Sequence, residues 1–436
     1  SDIAAKLIHF GFGLLLGGLV YVVTRRLFGT KAAWPAVVIL VSMPMLGMLA
    51  GWAYNDLALT FYQFAGLYAV SNWLLVKSNW GEADEEEQWV KETTKRESLQ
   101  NPKPVLSGAQ GAQAEGSKIQ NRSWLVLSGL CAGLAMGLKY TSFVTPVIVV
   151  LLIVWFGLRH KHLKQATISV VLFSLIALSV AFPWYIKNWV FTGNPVYPFL
   201  SGVFDGQYWD SFRAEWYASA GTGIGWRPTT LLALPWLLTL GVRDINFWDG
   251  RTGPLLLLFL PLVVWGAFSR RYSDRPAAYN VLLMYTLAHF LFWTMGVIWS
   301  RSLWQSRLLL PGLVGLVPAA GWIWANLSRF DLPQFSLSRF VNIAVSITLI
   351  LIVIDVGLLT LQFNPLPYIF GMETHRDHLT RRLGAHYATM EQINQELPAQ
   401  AKIAFLWEPR SYYCNRDCRP DSILDEFPHL VYQYGS

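Results

Sequence analysis

Charge is scarce in this chain. Of its 436 residues only 14% are charged and 53% are hydrophobic, where soluble proteins carry about 25% charged residues. That shortage excludes an ordinary soluble domain. Cysteine is scarce too: there are three, which excludes a small disulfide scaffold. Cys131 lies in an apolar run and reads as a packing residue. Cys414 and Cys418 in the tail are either bridged or free, and no second ligand pair follows them to make a zinc site. There is no Gly-rich phosphate loop, so no nucleotide site is assigned. No basic stretch precedes the first apolar run, so no signal peptide is read, and the protein is expected to continue beyond both Ser1 and Ser436. The net charge of +7 belongs to basic loops flanking a membrane and implies no nucleic acid.

What the chain has in quantity is apolar blocks. A helix rises about 1.5 Å per residue, and about 20 residues cross a hydrocarbon core. About ten blocks approach that length: Leu7–Val23, Ala33–Trp52, Leu57–Val76, Trp124–Leu138, Phe143–Leu158, Ala166–Phe182, Thr252–Phe268, Ala277–Val297, Leu308–Ala325 and Phe340–Leu361. The class is an all-α polytopic membrane protein. The 21 Trp and 18 Tyr suit an interfacial aromatic belt. Thr229–Leu240 is apolar but short and contains Pro235, so it reads as a re-entrant or interfacial helix.

The loops alternate in charge. Arg25, Arg26 and Lys31, then Arg159, Lys161 and Lys164, then Arg270, Arg271 and Arg275, then Arg329 and Arg339 form a basic set. The positive-inside rule places them in the cytoplasm. The segment 77–123 falls on the same side, with an acidic run from Glu82 to Glu87 and a Gly/Ala/Gln-rich stretch, Ser107–Gly116, and reads as a disordered insertion. The outer side receives the turns at Ala53–Asn55 and Lys139–Ser142, the long loop 184–251, the loop before Leu308 and the tail. Residues 1–363 thus form a transmembrane helical domain. Residues 364–436, with helical spacing over His375–Leu397 and a strand pattern over Lys402–Trp407, open an extracytoplasmic α/β domain. Asp355 is the one charge well inside a span.

Several polar groups converge on the outer side. Asp56 opens a membrane helix, where a carboxylate caps N–H groups and complements the helix dipole. It could equally hold a divalent metal or position an acceptor hydroxyl. Lys139 ends a span; it either snorkels to the headgroups or meets a phosphate. Arg301 and Arg307 bracket Trp304 and Gln305, an arrangement suited to clamping a phosphate and stacking on a sugar. Asn194 lies in a Gly-Asn-Pro turn signal. Asp205, Asp210, Glu215, Asp244 and Asp249 have no metal-motif spacing.

In order along the chain stand Ala53-Tyr54-Asn55-Asp56-Leu57-Ala58-Leu59, Gly133-Leu134-Ala135-Met136-Gly137-Leu138-Lys139-Tyr140-Thr141, Pro183-Trp184-Tyr185-Ile186-Lys187-Asn188 with Gly193-Asn194-Pro195, Asp249-Gly250-Arg251-Thr252-Gly253-Pro254, and Ser306-Arg307-Leu308-Leu309-Leu310-Pro311. This set resembles the GT-C superfamily of integral-membrane glycosyltransferases, in its protein-mannosyltransferase-like and aminoarabinose-transferase-like branch. The resemblance implies a polyprenyl-phosphate sugar donor, a lipid, glycan or protein acceptor, and inverting transfer to an acceptor hydroxyl. It assigns Lys139, Tyr140, Arg301 and Arg307 to the donor phosphate, and Asn194, Trp304 and Gln305 to the sugar or acceptor. Asp56 becomes a metal or phosphate-positioning group. The family's catalytic carboxylate sits in a first outer loop, which would lie upstream of Ser1. The expected setting is the bacterial cytoplasmic membrane, with site and tail outward. Two other readings are a non-catalytic subunit of a larger membrane complex and a transporter of lipid-linked sugars.

Overall fold

The computed structural model describes residues 2–76, 107–204, 206, 209–219, 224–240, 251–300, 305–422 and 426–435. The chain divides into two compact units, one of residues 1–207 and 221–348, the other of 208–220 and 349–436. The acidic run, Arg301, Trp304, Asp205, Asp244 and Asp249 lie outside the described residues.

The principal helices of the first unit are α1 (Asp2–Phe28), α2 (Thr30–Val41), α3 (Pro44–Ala50), α4 (Asp56–Leu74), α5 (Ser107–Leu138), α6 (Val144–Arg159), α7 (Leu163–Thr192), α8 (Pro228–Leu240), α9 (Pro254–Phe268), α10 (Ala278–Trp299) and α11 (Leu310–Ala325). α12 (Leu337–Phe363) runs across the division between units. Six helical segments among the described residues are long and apolar enough to cross a membrane, or seven if α2 and α3 form one span bent by 69°. The bend follows from sequence: Pro44 has no N–H to continue α2 and is favoured in the first turn of α3. The other three expected spans are shorter or more polar helices. They are α4, the Arg122–Leu138 part of α5, and α9. This is a helical membrane protein, but with fewer unambiguous spans than the apolar blocks promised.

Two boundaries differ from the sequence expectation. α7 continues through Pro183 to Thr192, so Trp184–Asn188 is helix and not outer loop. A membrane helix tolerates the lost N–H bond at proline because apolar surroundings penalise unwinding more. α5 begins at Ser107, so helix also covers the Gly/Ala/Gln-rich stretch expected as disordered; Ala and Gln extend a helix readily once it is nucleated.

Small residues bring the helices together. A Cβ on Gly133 would stand 2.5 Å from Ala177 O, and one on Gly129 would stand 3.0 Å from Ile176. The backbones of α5 and α7 meet there through glycine. A Cβ on Gly321 would meet Ala32 O at 2.7 Å, which brings α11 against α2 in the same way. At one end of the bundle lie the basic loops: Arg26 donates to Tyr68 at 3.3 Å, and Arg329 donates to Asp274 at 2.7 Å. Asp56, Lys139, Gln305 and Arg307 lie at the opposite helix ends.

In the second unit, the expected helix His375–Leu397 is two helices, α13 (His375–Leu383) and α14 (Ala385–Glu396), broken at Gly384 with φ 58°. Strand β1 is only Lys402–Ala404 and pairs in parallel with β2 (Asp417–Arg419), with Ile403 opposite Cys418. A last helix, α15, spans Glu426–Tyr434. Cys414 and Cys418 are joined in a disulfide. Arg381 donates to Phe363 O at 3.2 Å and Asn364 O at 2.9 Å while gripping Glu373. This satisfies carbonyls at the end of α12 that have no helical partner.

Candidate functional site

The site begins where α4 starts and α5 ends. Asn55 is the N-cap residue of α4, yet its side chain caps nothing on that helix. Its amide donates instead to Leu138 O at 2.8 Å. One residue on, Lys139 Nζ donates to Asp56 Oδ1 at 2.9 Å. Two consecutive residues of one segment therefore pair with two consecutive residues of the other. Asp56 is 2% exposed and Lys139 25%. The second carboxylate oxygen, Oδ2, is buried and has no hydrogen-bond partner among the described residues. A buried carboxylate oxygen is costly to leave unsatisfied, so this atom marks a place where a donor belongs. Beneath the pair, Gln63 donates to Ser142 O at 3.2 Å and Ser142 Oγ to Lys139 O at 2.6 Å, fixing the backbone that carries the lysine.

Lys139 leads into a single turn of 3-10 helix, Tyr140–Phe143. The Tyr140 hydroxyl donates to Tyr197 O at 2.8 Å and accepts from Asn188 Nδ2 at 2.7 Å. It ties this turn, expected to touch the donor phosphate, to the end of α7 and the loop beyond. Asn194, expected as a sugar or acceptor contact, is wholly buried. Its amide donates to Phe199 O at 2.8 Å and its carbonyl accepts from Val196 N at 2.9 Å, an Asx-type turn. Its side chain builds the loop.

Arg307 comes from the turn ahead of α11. Its Nη2 and Nε lie 2.9 and 3.3 Å from Gln305 Oε1. Its guanidinium carbon stands 4.5 Å from the centre of the Tyr54 ring. Gln305, expected to touch sugar, thus orients the arginine, and Tyr54 backs it. Tyr54 is two residues from Asp56, so the segment 54–56 brings the guanidinium and the Asp56–Lys139 pair to the same end of the bundle.

Sequence reading missed His9. It lies on α1, is 2% exposed, and touches the Trp52–Leu57 segment through both ring nitrogens. A lone histidine in an apolar helix was its only signal, and a satisfied core residue has the same signature.

A metal does not suit the residues present. Among the described residues no group of three or more His, Cys, Asp or Glu could hold one. Asp56 offers a single carboxylate whose Oδ1 already faces an ammonium, and that positive charge opposes a cation in the same place. Asp56, expected as a metal or phosphate-positioning group, is engaged through Oδ1 in an ion pair with Lys139.

Next to this end, α8, α9, α10 and α11 enclose an apolar cavity of about 410 Å³. Its walls include Leu238, Leu256, Leu260, Leu287, Phe290 and Leu309. Leu309 is two residues beyond Arg307.

Residues 112–220 match a family model described as a domain of unknown function, DUF8201. That stretch contains Lys139, Tyr140 and Asn194. No curated protein matches the chain. Among solved structures, the chain is similar to ArnT from Cupriavidus metallidurans bound to undecaprenyl phosphate. The identity is 16% and the TM-score 0.48, over 99% of this chain and 74% of that one. It is also similar to the archaeal oligosaccharyltransferase AglB from Archaeoglobus fulgidus, in complex with an inhibitory peptide and a dolichol-phosphate. There the identity is 14% and the TM-score 0.40, over 91% and 50% of the two chains.

Proposed function

We propose that this protein is a glycosyltransferase that takes its sugar from a polyprenyl-phosphate donor and passes it, with inversion, to an acceptor hydroxyl at the outer membrane face. The observation that carries this reading is the Asp56–Lys139 pair. Asp56 takes one of three ammonium protons and aims the remainder. The donor's phosphodiester, and the prenyl phosphate monoester that leaves, are ligands for an ammonium held in this way, and a guanidinium braced on Tyr54 and Gln305 supplies a second, planar grip. The apolar cavity beginning at Leu309 suits the isoprenoid chain.

In the reaction, the acceptor oxygen attacks the anomeric carbon and the bond from that carbon to the phosphate oxygen breaks. The acceptor proton passes to a base, and the prenyl phosphate leaves with the electron pair. Lys139 and Arg307 act on the leaving group. Positive charge placed where negative charge develops lowers the barrier, most of all in a site shielded from water. Asp56 holds Lys139 at that position.

The test is equilibrium binding of a polyprenyl monophosphate to the purified chain in nanodiscs. Lys139→Ala and Arg307→Ala should each weaken binding by about tenfold or more, since a hydrogen bond to a charged group contributes about 1.5–3 kcal/mol. If wild-type protein does not bind, or if neither variant changes affinity, the donor-site reading fails.

A further inference from the structure

We infer that His9 is a positioning residue: it caps α4 from a neighbouring helix and so holds Asp56 against Lys139. This inference rests on the reading of that pair as the donor-phosphate site.

The first amide groups of any helix lack an intrahelical acceptor, and a side chain at the N-cap usually supplies one. In α4 the N-cap residue, Asn55, is turned away to Leu138 O. The vacant role falls to His9. Its Nε2 lies 3.0 Å from Leu57 N, and its Nδ1 lies 2.6 Å from Trp52 O. These contacts select one tautomer. Trp52 O can only accept, so Nδ1 carries the proton. Nε2 then accepts from the Leu57 N–H, as a neutral imidazole allows. Nδ1 also lies 3.2 Å from Tyr54 N, but a protonated Nδ1 does not accept from it. One planar ring thus spans the whole segment from Trp52 to Leu57, gripping a carbonyl at one end and a helix amide at the other.

Asp56 sits between those two grips. It immediately precedes the capped amide, and of the two residues before it Asn55 reaches Leu138 and Tyr54 meets Arg307. The ring is 2% exposed and Leu57 is wholly buried, so water is not available to replace the bond to the Leu57 amide. Without His9, the buried Leu57 amide loses its acceptor and the Trp52 carbonyl loses its donor, and the segment has reason to move toward water and carry Asp56 with it.

The test uses the full chain in lipid nanodiscs with His9→Ala, His9→Gln and Asp56→Asn. Two readouts need no ligand: amide exchange over residues 52–60, and the rate at which an amine-acylating reagent labels Lys139. His9→Ala should raise Lys139 labelling about fivefold, the factor equivalent to a cap of about 1 kcal/mol. It should also speed exchange at Leu57. Asp56→Asn should raise labelling to a similar degree. His9→Gln offers an amide oxygen to the Leu57 N–H and should restore both readouts toward wild type. Unchanged labelling in His9→Ala overturns the inference. So does a loss of protection throughout α1 and α4 that His9→Gln shares, because that pattern marks packing alone. Polyprenyl monophosphate binding on the same samples judges the functional reading separately: a wild-type protein that fails to bind removes that reading, while labelling and exchange still decide the role of His9.

Discussion

Lys139 Nζ stands 2.9 Å from Asp56 Oδ1, and the two partners differ sharply in burial, 25% against 2% exposed. The asymmetry predicts unequal costs. Lys139→Met leaves a carboxylate charged and buried without its counter-ion, which should cost about 3 kcal/mol. Asp56→Asn leaves an ammonium that reaches water along a flexible stem, and should cost about 1 kcal/mol. Combining the two should recover most of the loss. Thermal unfolding in detergent gives all three values; equal losses from the single variants would contradict the burial argument.

The meeting of α5 and α7 yields a steric prediction. Gly133→Val places a side chain where even a Cβ has only 2.5 Å to Ala177 O, and overpacking of this kind costs about 1–3 kcal/mol. Gly137→Ala is the control, because nothing lies within 4 Å of its Cβ position. Unfolding midpoints should fall for the first and hold for the second.

Tyr54 braces Arg307 through its ring face, so Tyr54→Phe should keep polyprenyl-phosphate affinity. Tyr54→Ala should weaken it about two- to fivefold, the range for a cation–π contact of about 0.5–1 kcal/mol at an exposed site. Arg307→Lys should not restore the wild-type value, since an ammonium cannot accept the same planar bracing. Titrations in nanodiscs distinguish these outcomes.

In the second unit, Arg410 holds the Glu408 carboxyl down to about 2 by side-chain and backbone hydrogen bonds. A depressed carboxylate contributes stability above its unfolded value of 4.5 and loses it as pH falls toward about 2. The group is exposed, so the effect is small. Amide protection factors across residues 402–419, taken relative to the intrinsic exchange rate at each pH, should fall between pH 4.5 and pH 2 in the wild type, and Glu408→Gln should remove that fall.

Much of the fold was legible because hydropathy is a local property. Ten apolar blocks mark helical segments; most helix ends lie within a few residues of the block ends, while α5 and α7 run well beyond theirs and one block is the bent pair α2–α3. Span count was less legible. α4 is 19 residues long but carries Gln63, Ser71 and Asn72, and composition alone does not say whether such groups find partners inside a bundle. Asn194 shows the same limit: Gly-Asn-Pro announces a turn, and only the folded loop reveals that the buried side chain bonds Phe199 O and Val196 N within it. Gly384 likewise split a helix whose periodicity ran straight through it.

Hydropathy and loop charge were enough to establish a helical membrane protein, which loops are basic, and that Asp56 and Lys139 end their helices on a common side. Run length and loop charge are sufficient for those statements, because each is written within one segment. Tertiary structure alone decided which groups are partners. Asp56 faces Lys139 from 83 residues away, His9 caps a helix 48 residues downstream, and the helix's own cap residue is turned to the end of another helix. A buried donor or acceptor must be satisfied by whatever packing brings beside it, and that neighbour is a property of the assembled bundle.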